Sequence, residues 1–113
     1  MADQCVFCRI VRREIVTNIL LETEECIAFR DTNPQAPVHV LVIPKEHVSS
    51  LDAVTDAALV GRLGLVAAEV ARRTGVAESG YRTVINTNAA AGQTVFHLHL
   101  HLLGGRQFGW PPG

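Results

Sequence analysis

Apolar and polar positions change period twice along this chain, and the changes divide it into elements. In "FCRIVRRE", Phe7, Ile10 and Val11 recur at helical spacing with arginines between them, which predicts a short first helix. "NILLE" and "ECIAFR" read as two strands joined through "TEE", an antiparallel hairpin. "DTNPQAP" is a loop, because Pro34 and Pro37 cannot sit in a central strand. "VHVLVI" is β-branched and ends at Pro44. Its alternation puts His39, Leu41 and Ile43 on one face and Val38, Val40 and Val42 on the other.

From about Thr55 to Thr74 the period becomes 3.6, with Leu59, Leu63, Val66 and Val70 in one stripe. Thr55 is the expected N-cap, Gly75 the expected stop, and Arg72 and Arg73 suit the C-terminal dipole. Gly61 and Gly64 each weaken such a helix by about 1 kcal/mol relative to Ala, while permitting close packing. Then "YRTVIN" is a strand, "TNAAAGQT" a loop and "VFHLHLHLL" the last long strand, before an irregular tail, "GGRQFGWPPG". Strands, one long helix and more strands predict an antiparallel α+β domain rather than a parallel α/β sheet.

Composition narrows the class. The 113 residues are 48% hydrophobic and 19% charged, which fits one globular domain over residues 1–113. Ten basic against eleven acidic residues leave a net charge of −1, with no basic footprint for nucleic acid or an anionic membrane. "HVLVIP" and "LVGRLGLVAAEVA" are too short or too interrupted to span a bilayer. "MADQC" has neither the basic start nor the apolar run of a secretory leader. Three cysteines without a leader point to a reducing cytoplasm, where Cys26, in "CIAF", reads as a small buried hydrophobe.

Candidate chemistry lies in two clusters. On a strand, His97, His99 and His101 share one face and Leu98, Leu100 and Leu102 the other. Their Cα atoms would be about 6.6 Å apart in sequence and about 13 Å end to end, awkward for one metal on a straight strand. A solvated polar face usually mixes Lys, Glu, Thr and Ser, so three histidines point instead to chemistry. A central imidazole held in one tautomer is a nucleophile, and flanking ones can donate to phosphate oxygens or carry a proton. The preceding loop suits a phosphate: Gly92 allows close backbone approach, Gln93 and Thr94 offer donors, and Asn86 adds an amide.

The second cluster is "CVFC". Cys5 and Cys8 supply half of a tetrahedral zinc site, which His47 and one triad histidine could complete. A metal-free thiol pair ranks next and redox work last, since four residues cannot make the strand a redox motif needs. Asp31, at the end of a strand, reads as a turn carboxylate, although its place also suits a ribose diol.

"HLHLHLL", "CRIVRREI", "FRDTNPQAPVHVLVIPKEH", "AGQTVFHLHLHLLGGRQ" and "WPPG" together resemble the histidine triad (HIT) superfamily, in its Hint nucleotide-binding branch. The resemblance runs over essentially the whole chain. It implies the HIT fold, an α+β domain with about five antiparallel strands, one long helix and one short. It also implies a purine nucleoside phosphoramidase cleaving P–N bonds of adenylated amines through a nucleotidyl-histidine. By the same resemblance His99 attacks phosphorus, His101 carries the proton and contacts phosphate, His97 orients the set and His39 reaches in from the neighbouring strand. Asp31 becomes the ribose carboxylate, overruling the turn reading. Phe7, Ile10, Phe29 and Thr32 build the base pocket with Val6 at its rim, and Asn86, Gly92, Gln93 and Thr94 contact phosphate and leaving group.

The resemblance further implies a structural zinc on Cys5, Cys8, His47 and His97, not needed for the chemistry. A homodimer is implied too, its tail (residues 104–113) reaching the partner's site. Trp110 then acts on leaving-group selectivity in trans or packs the dimer. Thr94 stands where animal Hint proteins carry serine, adding a methyl that crowds a bulky amine, and Thr32 stands where an apolar residue often lines the base pocket. Phe108 and Gly109 also depart from the animal pattern. Alternative functions are a dinucleoside polyphosphate hydrolase, a nucleotide-binding regulatory module with incidental hydrolysis, and a catalytic metal site built on the triad.

Overall fold

A computed structural model describes residues 4–113; the first three residues of the "MADQC" start lie outside it. The polypeptide runs α1 (Val6–Val11), β1 (Ile19–Glu22), β2 (Cys26–Arg30), β3 (Val38–Pro44), α2 (Ala57–Arg73), β4 (Tyr81–Val84) and β5 (Leu100–Gly104). The five strands form one antiparallel sheet in the order β1-β2-β3-β5-β4. The α+β class and the sheet therefore follow the expectation drawn from periodicity.

Each face of the sheet has its own core. On one, Val40, Val42, Leu98, Leu100 and Leu102 pack against Leu63, Ala67, Val70 and Ala71 of α2. On the other, Leu41 and Ile43 join Ile27, Phe29 and, from α1, Phe7 and Ile10. The alternation in β3 thus sorts its side chains between two layers, as its period requires. Cys26 is 1% exposed within the α2 core, the small hydrophobe its context predicts. Burial also pushes its thiol pKa up.

Two local expectations change. The N-cap of α2 is Asp56, whose carboxylate accepts from Ala58 N–H at 3.0 Å, and not Thr55. A carboxylate placed one residue later reaches the first-turn donors and meets the helix dipole with a full charge. Gly75, at φ +81°, ends the helix as expected. Close packing does not explain Gly61 and Gly64, since a Cβ at either would meet nothing within 4 Å.

The last strand is also shorter than "VFHLHLHLL" predicts. Its ladder with β3 runs from Val38↔Gly104 to Val42↔Leu100 and stops. Beyond that point Pro44 offers no N–H, its carbonyl is taken by the His97 ring at 2.8 Å, and Leu98 N–H turns to Val48 O at 2.7 Å. The alternation outlasts the ladder: Leu98 still packs on the α2 side, and His97 and His99 still face Phe7 of α1. Among the described residues no helix is long and apolar enough to cross a membrane.

Candidate active site

Hydrogen-bond partners assign the proton positions of the imidazoles. His99 is buried, and its Nδ1 lies 2.7 Å from the His97 carbonyl. A carbonyl only accepts, so Nδ1 carries the proton and the lone pair is on Nε2. The same reasoning applies to His97, whose Nε2 donates to Pro44 O and whose Nδ1 keeps its lone pair. His39 Nδ1 accepts the Gln35 backbone N–H at 3.0 Å, which leaves the proton on Nε2. That Nε2–H faces His101 Nδ1 at 2.9 Å and Asp31 Oδ2 at 3.4 Å. His101 therefore accepts at Nδ1 and presents Nε2–H. The file of imidazoles becomes a set of distinct groups, a lone pair on His99 beside a donor on His101, their rings 5.0 Å apart.

Electrostatics keep the donor neutral. Burial, then the neighbouring His99 and His39, lowers the His101 pKa to about 4, with Asp31 opposing. Burial likewise lowers His39, against the pull of Asp31. Burial lowers His97 too, partly offset by its bond to the Pro44 carbonyl.

His99 and His101 open into a cavity of about 360 Å³, within the range of small-molecule sites. Its apolar wall is Phe7, Ile10, Phe29 and Leu41; His99 and His101 line it as well, and Asp31 and Thr32 join them. Phe7 sets its edge against Phe29 (centroids 5.7 Å) and His99 (5.1 Å), joining the pocket wall to the reactive imidazole. Val6 and Thr94 line this cavity and also an adjoining depression that includes Cys5 and His47. A depression of about 430 Å³ between the segment after β3 and the start of α2 contains none of the triad histidines.

Cys5, Cys8, His47 and His97 converge behind the triad, their ligand atoms all within 4.8 Å of one another. His47 and His97 Nδ1 are 3.2 Å apart, and the cysteine sulfurs lie 3.4, 3.3 and 3.6 Å from these nitrogens. Tetrahedral zinc sets edges of about 3.3 Å between nitrogens and about 3.6 Å between nitrogen and sulfur. His97 adds a chemical test, because its Nε2–H is anchored on Pro44 O and its Nδ1 lone pair points into the cluster. The donor set fits. The Asp31, His39 and His101 group is also compact, but there Gln35 N–H fills His39 Nδ1 and leaves a proton on the nitrogen a metal would need.

The remaining candidates fall in different places. Asp31 serves both readings: Oδ1 accepts the Asn33 N–H at 2.8 Å, closing a turn, while Oδ2 lies 3.4 Å from His39 Nε2 and the residue lines the cavity. The buried Gln93 carboxamide ties its own loop to the segment after β3, accepting from Asn88 N–H and donating to Val95 O and Ser49 O. Its N–H bonds Asn88 O, so Gln93 shapes the loop from which Thr94 projects. Gly92 sits at φ +92°, a conformation suited to glycine. Asn86 is half-buried after β4 and does not line the cavity. Trp110 is 83% exposed and also outside it. Ile15, Val16, Thr17, Arg30, Leu41 and Val95 also line the cavity, beyond the residues expected from the sequence. Only Leu41 carried a signal, since it alternates in phase with His39.

A histidine triad leading into the β5 strand of an antiparallel sheet, beside an apolar nucleotide-sized cavity, defines a class, and comparison agrees. The chain belongs to the HIT domain family, whose pattern it matches over residues 12–108. It is 56% identical, over all of both chains, to an uncharacterised HIT-like protein of Synechocystis sp.. It is 46% identical to the purine nucleoside phosphoramidase of Escherichia coli K12, covering 96% of this chain and 93% of that one. Among solved structures, a HIT family hydrolase from Legionella pneumophila superposes with a TM-score of 0.94 at 46% identity, covering 97% of this chain and 100% of that one.

Proposed function

We propose that this protein is a hydrolase of purine nucleoside phosphoramidates that works through a nucleotidyl-histidine. The observation that carries the reading is the His99 tautomer: Nδ1–H is fixed on the His97 carbonyl, which leaves Nε2 unprotonated in a cavity shared with His101. Such an imidazole attacks without first losing a proton. Similarity to the Escherichia coli phosphoramidase over nearly the whole chain supports the same substrate class.

In the first step His99 Nε2 bonds to phosphorus and the P–N bond breaks. The nitrogen, protonated from solvent, leaves as a neutral amine with the bonding pair. His101 Nε2–H donates to a phosphoryl oxygen as charge builds there. Its low pKa, about 4, supports phosphate contact by a neutral donor over the carriage of a proton. In the second step water attacks phosphorus, the P–Nε2 bond breaks, and the proton released by water passes to solvent. Products are the nucleoside monophosphate and the amine. The base lies against Phe7, Ile10, Phe29 and Thr32 with Val6 at the rim, Asp31 takes the ribose hydroxyls through Oδ2, and Thr94 stands on the leaving-group side.

Zinc on Cys5, Cys8, His47 and His97 would be structural, supplying a crosslink and no Lewis-acid chemistry. His97 would link it to catalysis, since its ring belongs to the converging ligand set and its carbonyl fixes His99. The working unit in this reading is a homodimer in the cytoplasm, with exposed Trp110 contributing to the partner's leaving-group side. Three cysteines, none in a disulfide among the described residues, suit a reducing compartment.

His99→Ala tests the assignment. Hydrolysis of an adenosine phosphoramidate is expected to fall by about three orders of magnitude or more while nucleotide binding persists. Rapid acid-free quenching of the native enzyme is expected to trap a nucleotidyl-histidine. Full turnover by the variant would overturn the nucleophile, and binding without any hydrolysis by the native protein would favour a regulatory nucleotide-binding module.

A further inference from the structure

The direction of the His39–His101 hydrogen bond decides what His101 shows to a phosphate. With the proton on His39 Nε2, His101 accepts at Nδ1 and offers Nε2–H to the cavity. In the reverse arrangement His101 would donate from Nδ1 and turn a lone pair toward an anionic oxygen, which is repulsive. One contact excludes that reverse: the Gln35 N–H, 3.0 Å from His39 Nδ1, leaves no room for a second proton there.

Gln35 lies in the loop between β2 and β3, where no strand ladder holds the backbone. Its placement comes from elsewhere. Arg106 Nε donates to Gln35 O at 3.0 Å, and the Gln35 carboxamide donates to Asn33 O at 3.0 Å. The Arg106 guanidinium stacks on Phe108 at 4.2 Å from its centroid, and its Nη1 reaches Gln107 O at 3.3 Å. Just before it, Gly105 packs so closely on the loop that a Cβ would stand 2.9 Å from Pro37 Cβ, at φ +90°. The segment after β5 is therefore seated on the loop, and its guanidinium holds the residue whose N–H fixes His39. A charged donor makes this bond stronger than a neutral one.

We propose that Arg106 is a positioning residue: by clamping Gln35 it sets the His39 tautomer and so keeps His101 Nε2–H turned toward the reacting phosphate. The role of that donor in turnover rests on the proposed reaction, but the tautomer can be read without substrate. In protein labelled with ¹⁵N-histidine, the native chain is expected to show His101 protonated on Nε2 alone. Arg106→Ala is expected to bring in the Nδ1–H form and to lower kcat/KM for an adenosine phosphoramidate by about fivefold. Arg106→Lys, which keeps a cationic donor, is expected to recover part of both. Arg82→Ala serves as the control, because Arg82 holds the tail at Gly109 O (2.9 Å) and touches Phe108 without bonding Gln35; it is expected to leave the tautomer unchanged. An unaltered His101 tautomer in Arg106→Ala overturns the inference, as does the same shift in Arg82→Ala. A tautomer shift in a protein that cleaves no phosphoramidate overturns the proposed reaction and supports the positioning role.

Discussion

His101 pays for its neutral state in a way that stability measurements can read. Its folded pKa, about 4, lies below the ordinary histidine value of 6.5, and His39 is shifted in the same direction. Above pH 6.5 both are neutral in folded and unfolded chains and contribute nothing to the pH dependence. As pH falls below 6.5 the unfolded chain takes up protons that the folded one refuses, so stability declines. The decline from His101 ends near pH 4, where the folded state is protonated too. Its slope is at most ~1.4 kcal/mol per pH unit for each histidine. Chemical denaturation from pH 8 to 4 should show a plateau and then this loss. His101→Gln should flatten it, separating it from carboxylate titration; an equal slope in that variant would remove His101 from the account.

Elements were legible where a short-range period governs them, and less so where a distant group intervenes. The stripe Leu63, Val66, Val70 belongs to α2 because every third or fourth side chain meets the sheet. Replacing the fully buried Leu63 by Ala is expected to cost about 2–5 kcal/mol. The cap was one residue off, since Thr55 and Asp56 are both good candidates and only geometry shows which oxygen reaches Ala58 N–H. Asp56→Ala should destabilise by about 1 kcal/mol and Thr55→Ala by far less, as measured by urea denaturation. A reversal of that order would restore the sequence-based cap. The start of β5 could not be read at all, because the His97 ring captures the carbonyl of Pro44, 53 residues before it in the chain. For the same reason the alternation identified which imidazoles share a face but not their protons. Those depend on carbonyls and amides of Pro44, His97 and Gln35, which no side-chain pattern encodes. Val16, Thr17 and Arg30 line the cavity only because α1 folds over β2 and β3, a tertiary fact.

For the whole molecule the strongest expectation concerns how its N-terminal helix is held. α1 has six residues, too few to be stable alone, yet it supplies Phe7 and Ile10 to the cavity wall. The four converging ligands come from three parts of the chain: Cys5 and Cys8 at α1, His47 after β3, and His97 before β5. A zinc there would tie the helix to the sheet at the point where Phe7 meets His99. Its binding energy would then add to folding energy, since the unfolded chain offers no preformed site. Gently purified protein should hold about one zinc per chain by elemental analysis. Chelation should lower the melting temperature and expose α1 amides to hydrogen exchange, while turnover at a temperature well below melting falls less. Cys8→Ser should reproduce the loss of metal and stability with His99 still reactive. If turnover stopped at once on chelation and only metal restored it, with α1 still protected from exchange, the metal would belong to the reaction and not to the scaffold.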